Sequence, residues 1–139
     1  MTDGRVGEAS KPMLGAAEPQ LFVADFEAAC AYFTDTLGFE VVFTYGEPPF
    51  YGQVRRGAAA LNLRLVSRPV WVDDVRDRDE LLAASIAVAS AAEIRALFAE
   101  FQAAGVEFFR PLKQEPWGAR TFIVRDPDGN LLLFAGTAV

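Results

Sequence analysis

The sequence predicts an α+β domain of two βαβββ modules. Three observations carry this. Hydrophobic residues make up 52 % of the 139-residue chain, enough for one packed domain and too many for a disordered chain. Segments of period-two and period-3.6 hydrophobicity follow one another in the order strand, helix, strand, strand, strand. The same order then returns, an internal repeat of about 65–70 residues in element order and not in identity.

Residues 1–17 mix Gly, Ala, Ser and charges without a period and are expected to form a mobile tail ahead of a single domain over 18–139. Gln20–Ala24 reads as a short buried strand. Asp25 then caps a helix running through Thr36, because its carboxylate can accept the orphan N–H groups of the first turn. Phe26, Ala29, Cys30, Phe33 and Leu37 recur at spacings of three and four and make one apolar stripe, which Gly38 ends. Phe39–Tyr45 alternates as a strand, with Phe39, Val41, Phe43 and Tyr45 opposed to Glu40, Val42 and Thr44. Pro48 and Pro49 break it. Tyr51–Arg56 and Ala59–Val66 follow as strands about a turn at Gly57, with Leu61, Leu63 and Leu65 on one side and Asn62 and Arg64 on the other.

A charged connection over 68–80 separates the modules, which span about 18–67 and 81–136; it is expected to be a solvated loop with at most a helical turn. Leu82–Ala89 reads as a strand. Ser90 and Glu93 stand at capping-box spacing before Ile94, Leu97, Phe98 and Phe101, a helical stripe that stops at Ala104-Gly105. Val106–Arg110 reads as a strand, Pro111–Trp117 as a loop, and Thr121–Arg125 and Leu131–Phe134 as strands about the turn Asp126-Pro127-Asp128-Gly129.

Composition removes several functions. The chain has no histidine, so the commonest ligand of zinc, iron and nickel is missing, along with Ser-His-Asp and Cys-His chemistry. Any metal would rest on carboxylates, carbonyls and water, which favours Mg, Ca or Mn. A net charge of −6 lacks the basic footprint that nucleic acid or an anionic membrane needs, and gives a weak preference for cationic ligands. The single cysteine, Cys30, excludes an internal disulfide and reads as a small buried hydrophobe. With no transmembrane run and no signal-peptide pattern, a cytoplasmic setting is expected.

Certain stretches resemble the vicinal oxygen chelate superfamily, which includes glyoxalase I, extradiol dioxygenases, and fosfomycin- and bleomycin-resistance proteins. They are Phe22-Val23-Ala24-Asp25 with Ala31-Tyr32-Phe33 and Leu37-Gly38-Phe39; Ala103-Ala104-Gly105-Val106-Glu107-Phe108; and, most specific, Pro116-Trp117-Gly118-Ala119-Arg120 followed by Asp126-Pro127-Asp128-Gly129-Asn130. The likeness covers about Glu18 to Gly136. In the last motif Asp126, Asp128 and Asn130 read as turn chemistry, with Pro127 fixing φ and Gly129 supplying a positive one. Trp117 and Arg120 read equally well as cleft-mouth residues or as a cap on the core.

The resemblance implies that the modules form a curved mixed sheet around a cleft, where the family's enzymes hold a metal through His or Glu on the first and last strands of each module. Here those positions fall near Glu18, on Asn62 and Arg64, in Leu82–Ile86, and on Leu133. An arginine repels a divalent ion and leucine cannot bind one, so no metal site and no cofactor are expected, with Glu18 a remote candidate ligand. Three readings follow. The first is a sequestering protein of the bleomycin-resistance kind, which binds a small organic ligand, cationic or aromatic, such as an antibiotic. Its lining residues would be Phe50, Tyr51, Asn62, Arg64, Trp117, Arg120 and Phe122. The second is a lyase, isomerase or dioxygenase using a carboxylate and water-bound metal, or no metal with Glu18 as base. The third is an interaction domain with a collapsed cleft. The resemblance also implies a homodimer that completes the cleft.

Overall fold

The computed structural model describes residues 11–71 and 73–137. Of the expected tail, residues 1–10 lie outside the described residues, and 11–17 are exposed and belong to no helix or strand.

The first module runs β1 (Gln20–Val23), α1 (Phe26–Ala31), a π-helical turn (Tyr32–Thr36), β2 (Glu40–Tyr45), β3 (Tyr51–Arg56) and β4 (Ala59–Leu65). Asp25 caps α1 as its side chain predicts, accepting from the Ala28 N–H at 3.0 Å. The expected helix to Thr36 changes pitch halfway. Leu37 N–H bonds to Tyr32 O at 3.2 Å, five residues back, and the widened turn lets both Phe33 and Leu37 be fully buried. Gly38, at φ 76°, then reverses the chain.

A short helix, α2 (Val75–Arg78), interrupts the connection. The second module runs β5 (Leu82–Val88), α3 (Ala91–Ala103), β6 (Phe108–Gln114), β7 (Arg120–Arg125) and β8 (Leu131–Gly136). Ser90 Oγ accepts from the Glu93 N–H at 3.1 Å, fixing the start of α3.

Each module forms its own four-stranded mixed sheet, ordered β1-β4-β3-β2 and β5-β8-β7-β6. In each, the first strand pairs parallel with the last and the remaining pairs are antiparallel. The repeat in element order is therefore a repeat in topology.

Two local expectations are corrected. In β2 the register slips between Val41, which pairs with Val54, and Phe43, which pairs with Gln53. This bulge at Val42 puts Val41 and Phe43 on opposite sides, where simple alternation had them together. The stretch Pro111–Gln114 is strand and not loop, because β6 lies at the edge of its sheet and an edge position tolerates a residue with no N–H to give.

The helix-bearing faces of both sheets contribute to one continuous core. Leu21, Val23, Val54, Leu61 and Leu63 from the first sheet share a cluster with Phe122, Val124, Leu132 and Phe134 from the second. Burial of these chains at ~1.5–3 kcal/mol each is the main force holding the modules together. Polar ties complete the joint. Asp128 Oδ1 accepts from Ala24 N–H at 2.8 Å, and Asn130 Nδ2 donates to Phe22 O at 3.1 Å. Arg56 donates to Leu37 O and to both carboxylate oxygens of Glu100, at 2.7 and 2.9 Å. Because the helix-bearing sides meet, the helix-free side of each sheet is turned away from the shared core.

Candidate functional site

On the first sheet, Leu21, Val23, Val54, Leu61 and Leu63 point into the core. The pleat therefore sends Gln20, Phe22, Tyr51, Gln53, Asn62 and Arg64 to the helix-free side. Register brings them together: Asn62 lies opposite both Gln20 and Gln53, and Arg64 opposite both Phe22 and Tyr51. The bulge in β2 adds Phe43 opposite Gln53 and Tyr45 opposite Tyr51.

This face joins aromatic rings to a satisfied polar floor. Gln53 and Asn62 are only 6 % and 5 % exposed, and Gln53 Nε2 donates to Asn62 Oδ1 at 3.0 Å. That bond offsets the cost of withdrawing two amides from water. It also leaves the Asn62 NH2 and the Gln53 carbonyl as the groups an incoming molecule would meet. Gln20 Nε2 donates to the Tyr51 hydroxyl at 3.1 Å and fixes that ring, which sits 6.0 Å from the ring of Phe43. Phe22, Phe43, Tyr45 and Phe50 remain 40 %, 44 %, 67 % and 41 % exposed. Contiguous exposed rings on one sheet face mark a surface made to be covered.

On the second sheet the helix-free side is smaller in side chain and more charged at one end. Ser85, Ala87, Leu133 and Ala135 share it with Thr121 and Ile123. Beside them the buried Glu115 accepts from Thr121 Oγ1 at 2.7 Å and from Arg110 Nη2 at 3.2 Å. The Thr121 hydroxyl first, then the charges of Lys113 and Arg110, hold the Glu115 carboxyl below its ordinary range.

Of the residues singled out from sequence, Tyr51, Asn62 and Arg64 share the helix-free side of the first sheet, and Phe50 flanks it with its ring 5.7 Å from Tyr45. The second-module candidates do not join them. Trp117 is 73 % exposed in the β6–β7 loop. Arg120 pairs with Gly136 on the same side of β7 as Phe122, the helix-bearing side. Phe122 is corrected outright: it is 0 % exposed, stacks on Phe134 at 5.2 Å, and packs edge-on against Phe101 and Phe108. It can touch a ligand only if the core opens. Gln20, Phe22, Phe43 and Gln53 escaped the sequence reading. Strand register is the signal that finds them, since each lies opposite a residue already chosen or beside one.

The positions that the resemblance assigns to metal ligands carry side chains of four different kinds. Glu18 is exposed and precedes β1. Asn62 gives its oxygen to Gln53. Arg64 is a cation, and Leu133 has no donor. This set of one outlying carboxylate, an engaged amide, a guanidinium and an alkyl chain does not suit a divalent ion. Among the described residues, no group of three or more Asp, Glu or Cys is close enough to hold one. Nor, among them, is any helix long and apolar enough to cross a membrane.

The profile of the Glyoxalase/Bleomycin resistance protein/Dioxygenase superfamily matches residues 15–134. No curated protein matches the sequence. Among solved structures, the bleomycin-binding protein of bleomycin-producing Streptomyces verticillus, complexed with copper(II)-bleomycin, is similar at 26 % identity and a TM-score of 0.68, over 91 % of this chain and 99 % of that one. A glyoxalase/bleomycin resistance protein/dioxygenase from Alicyclobacillus acidocaldarius aligns at 19 % identity and 0.72, over 88 % and 90 %. A lactoylglutathione lyase from Agrobacterium tumefaciens aligns at 20 % and 0.66, over 92 % and 97 %.

Proposed function

Because the chain belongs to the glyoxalase/bleomycin resistance protein/dioxygenase superfamily, we propose that it binds and sequesters a small, flat, aromatic molecule on the helix-free side of its first sheet, without a metal. The observation that carries this reading is the makeup of that face. Phe22, Phe43 and Tyr51 supply rings for stacking, Arg64 a cation, and the Gln53–Asn62 pair one free donor and one free acceptor. Where the superfamily's enzymes would place metal ligands, this face offers recognition groups. Sequestration needs affinity alone and no group that acts on a transition state.

The face is open in one chain, so a second copy is proposed to close it, placing a helix-free surface opposite the aromatic one and forming a homodimer with two equivalent clefts. The net charge of −6 favours ligands that also carry positive charge. The bleomycin complex of the Streptomyces verticillus protein makes bleomycin the first antibiotic to try. A cytoplasmic setting suits the lone Cys30, whose thiol is pushed up by burial and stays protonated.

The test pairs calorimetric titration, against bleomycin and a panel of flat cationic aromatics, with metal analysis of protein purified without chelator and with a lactoylglutathione lyase assay. Saturable binding without metal or turnover supports sequestration. Stoichiometric metal accompanied by turnover replaces it with catalysis. Sedimentation showing only monomer at every concentration removes the shared cleft.

A further inference from the structure

Away from the helix-free faces, the two modules fail to close where the β3–β4 turn meets β5 and α3. A cavity of about 440 Å³ is left there, within the ~300–1,000 Å³ common for small-molecule sites. Short side chains keep it open: Gly57 and Ala58 in the turn, Ala59 at the start of β4, Ala89 just past β5, and Ala96 on α3. Its wall is apolar and partly aromatic, with Phe39, Leu97, Phe101 and Phe134. Its charges come from Arg56, Glu93 and Glu100.

We propose that this cavity binds a compact amphiphilic cation, its aryl or alkyl body against Phe39, Leu97 and Phe134 and its ammonium group between Glu93 and Glu100. The geometry of α3 supports the assignment. Glu93, Ala96, Leu97 and Glu100 stand at i, i+3, i+4 and i+7, so one helix face presents a carboxylate, a small apolar gap and a second carboxylate. Arg56 offsets only one of those charges. It grips Glu100 through two hydrogen bonds of 2.7 and 2.9 Å, and its guanidinium carbon sits 6.0 Å from the Phe101 ring centre. The remaining negative charge at the mouth repels anions. A neutral hydrocarbon would shield Glu93 from water and give nothing in return. A cation answers both objections. The site stands apart from the proposed ligand face, because Phe101, Phe134 and Ala59 lie on the helix-bearing side.

The experiment titrates 15N-labelled protein with 4-phenylbutylammonium and with 4-phenylbutanol, a neutral molecule of the same shape. The expected result is saturable shifts confined to residues 56–59, 86–89 and 93–101, with the alcohol binding ~5–10-fold more weakly. Replacing Ala96, an exposed helix position, by Phe should abolish those shifts, and Ala58→Trp should do the same from the turn if the first variant folds poorly. Glu93→Gln should weaken the ammonium ~2–5-fold and leave the alcohol unchanged. Absence of saturable shifts in the wild type, shifts that survive both filling variants, or equal affinity for amine and alcohol would each overturn the proposal.

Discussion

Asn130→Ala is expected to loosen the joint between the modules. The Asn130 side chain is buried, and its Nδ2 donates to Asp126 Oδ2 at 3.0 Å and across the joint to Phe22 O at 3.1 Å. The first bond ends on a carboxylate and is worth ~1.5–3 kcal/mol, and the second, between neutral groups, ~0.5–1.5 kcal/mol. Alanine removes both while Asp126 keeps its bonds from the Asp128 and Asn130 N–H groups. The net loss should be about 2–4 kcal/mol. In urea at pH 7.5 this moves the midpoint down by roughly 1–2 M at an unchanged slope. A second readout belongs to the same bond. Burial pushes the Asp126 carboxyl up to about 6, and the Asn130 side chain is the foremost influence holding it from rising further. In the variant that carboxyl should therefore titrate above its wild-type value. Asn130→Asp should be worse than alanine at neutral pH, since it sets a second carboxylate against the first, and should recover as the pH falls. A loss below ~0.5 kcal/mol, or an Asp126 titration that does not move, would refute the account of the joint.

Other expectations follow from the same geometry. Asp126 binds its proton more tightly folded, at about 6, than unfolded, near 3.9. Its contribution to stability is thus fully present below about pH 4 and is lost as pH rises through 6, a change on the order of 3 kcal/mol. Asp126→Asn should flatten the stability profile across that window, read by thermal unfolding at stepped pH. Phe122→Ala should cost about 3–5 kcal/mol in urea unfolding, as expected for an aromatic chain removed from a closed core. Tyr51→Ala should change stability by less than ~1 kcal/mol and weaken the proposed aromatic ligand ~3–10-fold in calorimetry.

Elements with one clean face were legible from the sequence, and those with two apolar faces were not. In β4, Leu61 and Leu63 alternate with Asn62 and Arg64, so polarity alone assigned Asn62 and Arg64 to the open side. In β7, Phe122 and Val124 alternate with Thr121 and Ile123, and all of them are buried. Nothing in that strand distinguishes core from cleft until the cross-strand pair Phe122–Phe134 is known. The caps at Asp25 and Ser90 were legible because they depend on local hydrogen bonds. The bulge at Val42 and the run of strand through Pro111 depend on which partner lies alongside, and a single chain does not announce its neighbours. For the proposed face this means that polarity singles out Tyr51, Asn62 and Arg64, whereas Phe22, Phe43 and Gln53 join them only through strand register.

The packing of the modules explains why the aromatic face is more than unburied core. Each module is a sheet with one helix, and a sheet of this kind has two faces to satisfy. Joining the helix-bearing sides consumes one face of each in a single core. Were the other face only solvent surface, its strands would carry charged and hydroxyl residues outward, as half-exposed sheets do. The first sheet instead turns Phe22, Phe43, Tyr45 and Tyr51 outward and buries an amide pair among them. Exposed rings on a strand surface invite misassociation, and a buried amide pair stabilises a fold less well than an apolar pair of the same shape would. Both costs are offset if the face has an occupant, with the rings contributing stacking area and the amides fixing its orientation. If a second copy closes this face as proposed, ligand and second copy are coupled. A molecule seated on this face adds contact area for the opposing chain, so saturating ligand should tighten the homodimer, and chain concentration should in turn raise the ligand's apparent affinity.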